Sequence, residues 1–213
     1  IVLMNPVYKK IAKGAALMTG TSYDRVFIDG TAELLPNYTL EKLMHGCFEE
    51  VGVPKCTAEE LEYAAALKAT YSPERDVPGI GAKFDAGIAK QVKALSENMT
   101  KPVYDFLMPQ YSGEGFRPGS TDVGDVSWQT PTAQIEVAAW PAGVPRHSWQ
   151  VVACGKSSMA HKAMLCAGKV IASTAIELLE QPALLEKAKS EFKERSASGY
   201  VCPIEPDAVP IAL

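Results

Sequence analysis

Ser157 to Leu179 is a run of twenty-three residues with no proline, and apolar side chains recur through it at three- and four-residue spacing. Ala160, Ala163, Met164, Ala167, Val170, Ile171, Thr174 and Leu178 fall on one helical face. Ser157 or Ser158 supplies the cap. The last third of the chain is thereby committed to one long helix. Pro182 opens another, charged and amphipathic, to about Arg195, with Leu184, Leu185, Ala188 and Phe192 inward.

Shorter helices are predicted upstream. Pro6–Met18 carries a stripe of Val7, Ile11, Ala15 and Met18 and ends at Gly20. Leu40–Val51, capped by Thr39 and stopped by Gly52, aligns Leu40, Leu43, Met44, Cys47, Phe48 and Val51. Thr57 and Glu60 have capping-box spacing and open a helix to about Tyr71. A further helix is expected near residues 82–96, within a loop-rich stretch from 72 to 127. Three segments have strand character: Ser22–Asp29, Thr132–Trp140, with Ala133, Ile135, Val137 and Ala139 on one side, and Trp149–Ala153. Together these elements predict an α/β chain. The tail from Val201 is expected to be extended.

The chain is 47% hydrophobic and 22% charged, ordinary for a soluble globular protein. A formal net charge of −4 gives no basic field for phosphates, so nucleic acid is not an expected partner. No apolar run is long enough to suit a bilayer. Five cysteines without a CxxC pair fit a reducing cytoplasm better than a disulfide framework. The start, Ile1-Val2-Leu3-Met4-Asn5-Pro6, has no initiator methionine and no signal-peptide pattern, and is expected to lie inside a longer protein.

Candidate chemistry is sparse. Of three histidines, His45 sits one position off its helix's apolar stripe, where a structural or solvated role is expected. His147 lies in Pro145-Arg146-His147-Ser148-Trp149, in a loop after the predicted strand, where α/β enzymes place ligands. His161 falls in the first turn of the long helix, where the helix dipole favours a neutral imidazole. Gly119–Ser127 packs Asp122 and Asp125 among hydroxyls and glycines. Its carboxylates could bind a cation, hold a histidine in one tautomer, or cap turns. No tight ligand spacing such as HExxH is present, so the residues alone stop at a soluble α/β domain with a polar site around 119–161.

Gly14–Thr21, Leu35-Pro36-Asn37, Gly119–Ser127 and the run from His147 through Gly155-Lys156-Ser157-Ser158 to Lys162 resemble the aminobenzoyl-glutamate hydrolase branch of the aminoacylase and carboxypeptidase family of dinuclear zinc hydrolases. The resemblance implies a catalytic α/β domain interrupted by an α+β lid that mediates dimers. Residues 1–32 would be the last helix and strand of the lid, and 33–213 the C-terminal part of the catalytic domain. It implies an amidohydrolase acting on an N-acyl or N-aroyl amino acid such as p-aminobenzoyl-glutamate, with two zinc or manganese ions per intact site. His147 would be a metal ligand, with His161 its competitor. Asp122, Asp125, His161 and Asn37 would support the metals or face substrate. A homodimer through the lid, or a second subunit, is implied. The family's other ligands, its glutamate base and an arginine after the lid strand have no counterpart here; that last stretch reads Gly30-Thr31-Ala32. The chain by itself is therefore expected to be inactive. The alternative is a non-catalytic regulatory or assembly subunit that keeps the fold.

Overall fold

A computed structural model describes residues 5–72, 86–112, 119–204, 206, 208 and 209. Among the described residues eight α-helices are formed, in order: α1 (Asn5–Thr19), α2 (Tyr38–Val51), α3 (Ala58–Lys68), α4 (Ala86–Glu97), α5 (Val123–Ser127), α6 (Trp149–Cys154), α7 (Ser158–Glu180) and α8 (Pro182–Arg195). No strand occurs among the described residues. The chain divides into two units. The smaller holds residues 1–36, 119–132 and 192–213, the larger 37–118 and 133–191.

The core of the larger unit is built on α7, against which α2 packs. Cys47 and Phe48 of α2 meet Cys166 and Val170 of α7, and Leu43, Met44, Val51 and Leu107 close around them. These α2 residues are the stripe read from the sequence, so its period and its burial agree. Ile135 and Val137 pack on the same cluster while Gln134 and Glu136 are exposed. The alternation expected for 132–140 is therefore used, although the segment makes no ladder among the described residues. A second cluster joins Ala64 and Leu67 of α3 to Val103, Cys154 and Met159.

Several boundaries differ from expectation. Residues 149–154 form helix α6, not a strand. Gln150 and Cys154 lie four apart and are both buried, and the Gln150 amide donates to the Thr70 hydroxyl at 3.2 Å. Val152, which a strand would place on the same face as Gln150 and Cys154, is 78% exposed, so the helical pattern of burial outweighs the β-propensity of Val151 and Val152. Asn37, not Thr39, caps α2: its side-chain oxygen accepts the Leu40 N–H at 3.0 Å. Thr39 instead donates its hydroxyl to Glu191 at 2.7 Å. The capping box at α3 is formed as read, and Ser157 caps α7. Residues 22–29 run without a ladder partner among the described residues. The expected helix near 82–96 is present over 86–97, and 82–85 lie outside the described residues.

Candidate functional site

In the smaller unit the acidic, glycine-rich turn is a clasp. The Asp125 carboxylate accepts the Ala32 N–H at 3.2 and 3.3 Å and the Tyr200 hydroxyl at 2.7 Å. That bond to Asp125, with burial behind it, pushes the Tyr200 phenol above its ordinary pKa and keeps it a donor. The Ser127 hydroxyl donates to Gly124 O and accepts the Leu35 N–H at 2.8 Å. The Trp128 indole donates to Glu33 O at 2.9 Å, and its ring lies 6.3 Å from that of Tyr200. Gly124 makes the fit feasible, since a Cβ there would stand 2.1 Å from Ala32 O. Asp122 precedes α5, makes no side-chain cap bond and is exposed.

The larger unit holds the histidines and Asn37. His147 is exposed and has φ 57°, the sole non-glycine positive φ among the described residues. Such a conformation costs on the order of 1–3 kcal/mol and persists where its surroundings enforce it. Val144 is buried before it, and the Ser148 hydroxyl donates back to Pro145 O at 2.6 Å. The backbone therefore turns sharply at 147 and leaves the imidazole in solvent. His161 is also exposed, one turn into α7. His45 is half-buried, and its Nε2 lies 2.8 Å from Met108 O, the structural position expected of it. Asn37 is 2% exposed, and both ends of its amide are engaged, the nitrogen donating to Ala188 O at 2.9 Å. It ties α2 to α8.

The N-terminus of α7 is anchored by a residue that sequence reasoning used only as a cap. Glu60 is buried, and one oxygen accepts the Ser158 hydroxyl at 2.6 Å. The other takes the Lys162 ammonium at 2.8 Å and the Thr57 N–H at 2.7 Å. Lys162 and Ser158, then the Thr57 amide, pull the Glu60 carboxyl down to about 2. Capping-box spacing disclosed the Thr57 bond. The bonds to Ser158 and Lys162 join positions about a hundred residues apart, and no local pattern signals them. A shallow cavity of about 410 Å³ adjoins this anchor, lined by Glu59, Tyr63, Lys156 and Ser157 among others.

A mononuclear metal centre needs three donors at one point. Among the described residues no three His, Cys, Asp or Glu side chains converge in that way. The larger unit presents two exposed imidazoles, His147 and His161, of which His161 lies in the α7 turn anchored by Glu60.

The chain is similar to one of the subunits of p-aminobenzoyl-glutamate hydrolase from Escherichia coli (strain K12). The two are 35% identical over 206 residues, which is 96% of this chain and 43% of the relative. The match takes in both units, and the chain spans less than half the length of the E. coli protein. No family model and no solved structure matches the chain. No helix among the described residues is long and apolar enough to cross a membrane.

Proposed function

We propose that this chain is part of a cytoplasmic, metal-dependent amidohydrolase that cleaves the amide of an N-acyl or N-aroyl amino acid, with p-aminobenzoyl-glutamate as the leading substrate. The observation that carries the reading is the 35% identity to the E. coli hydrolase subunit across nearly the whole chain. The relative is named as a subunit, which supports a second subunit as partner. In this reading the chain contributes the late α/β part of a catalytic domain and the end of a lid.

His147 is the proposed metal ligand. Its imidazole is exposed on a left-handed turn, which leaves it accessible to a ligand from solvent. His161 would serve toward metal or substrate in the larger unit, and Asp122, in the smaller unit, is proposed for a substrate-facing or metal-supporting role of its own. Asp125 fixes the turn of the smaller unit, and Asn37 ties α2 to α8 in the larger. A pair of zinc or manganese ions, completed by donors beyond the described residues of this chain, would supply the Lewis acid that polarises the amide carbonyl.

The test compares the full gene product with its His147→Gly variant, since glycine accepts the same φ without strain. Released p-aminobenzoate and bound metal are measured in both. The variant should melt within a few degrees of the parent, yet lose roughly 100-fold or more in turnover together with metal retention. A metal-loaded parent that cleaves no N-acyl amino acid ends the proposal.

A further inference from the structure

Helix α7 is apolar on two opposite sides. Met159, Ala163, Cys166, Val170 and Thr174 face inward and are buried. The other side carries Met164, Leu165, Ile171, Ile176 and Leu179, which are 50–79% exposed. Between them Gly168, Ala172 and Ala175 are exposed as well. Leu165, Gly168, Ala172, Ala175 and Leu179 follow three- and four-residue steps, so the stripe is continuous for about 21 Å of helix. From Ala163 to Leu179 the charged residues are Lys169, at the stripe's edge, and Glu177, off it. A surface helix ordinarily has a polar outer face; one that is apolar all round belongs in an interior.

We infer that this outer face of α7 is a docking surface for a further stretch of polypeptide, the counterpart of the part of the E. coli protein that lies outside the 206 matched residues. The length of the relative selects that occupant, and two features of the face suit it. The matched relative is more than twice as long as the match, so it has ample chain to cover the stripe. The face is uncharged, which suits a permanent apolar contact rather than an exchangeable one. Its middle is lined by glycine and alanine, so another element's backbone can approach closely there, at roughly 8–10 Å between axes. His161 begins the same stripe, four residues before Leu165, so the occupant's edge would end beside that imidazole. The inference uses the likeness to the E. coli protein but not the metal chemistry, and the two readings fail separately.

The test compares Ala172→Cys in the isolated 213-residue chain and in the protein expressed from its whole gene. Maleimide labelling at 172 is followed by peptide mass spectrometry. A photo-crosslinking residue placed at 165 identifies whatever lies against it. Labelling should be fast in the isolated chain and at least tenfold slower in the whole product. The cross-linked peptide should resemble the unmatched part of the E. coli protein. Equal labelling in both samples overturns the inference, as does a cross-link from residue 165 to the α7 stripe of a second copy or to any unrelated protein.

Discussion

At position 124 the chain has room for a hydrogen and nothing larger. The carbonyl of Ala32 fills the space that a methyl group would need, and it belongs to backbone, which cannot swing aside as a flexible side chain does. Gly124→Ala should therefore cost about 1–3 kcal/mol in chemical denaturation, because residues 32–35 must retreat and stretch their bonds to Asp125 and Ser127. A loss below about 0.3 kcal/mol, within the range of an ordinary surface substitution, would show that the clasp is loose. The sequence disclosed that 119–127 was special but not what it did. Two carboxylates among glycines suit a cation as well as a backbone, and the choice depends on which strand-like segment returns to them. The case of His147 is similar. Its place in a loop was legible, whereas its left-handed backbone was not, because histidine merely tolerates that conformation.

Helices were the most legible elements, since caps and apolar period state the same thing twice. The long helix, the capping box and the helix opening at Pro182 all lie where spacing puts them. Strand character was less dependable. Trp149–Ala153 has the composition of a strand, yet Gln150 and Cys154 are buried while Val152 between them is 78% exposed, and a strand would put all three on one face where a helix does not. Glu60 gives the element scale its sharpest expectation. Its folded pKa lies below the unfolded value, so the stability it adds is fully present above pH 4.5 and is lost as pH falls toward about 2. Unfolding midpoints measured from about pH 6 to about pH 2.5 should fall steeply below 4.5 in the parent. Glu60→Gln should start about 1–3 kcal/mol lower and fall less. Parallel pH curves for the two proteins would refute the assignment.

For the molecule as a whole, the thiols provide a check on burial. All five cysteines are free: Cys47, Cys154 and Cys166 buried, Cys56 half-buried and Cys202 exposed. Burial raises the thiol pKa of Cys154 and Cys166, and burial followed by the Glu60 carboxylate raises that of Cys56. Native labelling at about pH 8 should modify Cys202 first and Cys56 well behind it, with the other three reacting only on unfolding. Early labelling of Cys154 or Cys166 would mean that the α3–α7 and α2–α7 clusters are not closed as described. Composition indicated a reduced protein; which thiols are shielded required the packing.

The anchor at Glu60 also has a direction. Reversing the pair, with lysine at 60 and glutamate at 162, would restore opposite charges and still fail. Position 60 must accept from a backbone amide and a hydroxyl besides the ammonium, and a lysine there would present only hydrogens to the Thr57 amide. Charge can therefore be swapped on paper but not in the molecule, and the turn from which His161 hangs tolerates an acid at residue 60 and no base.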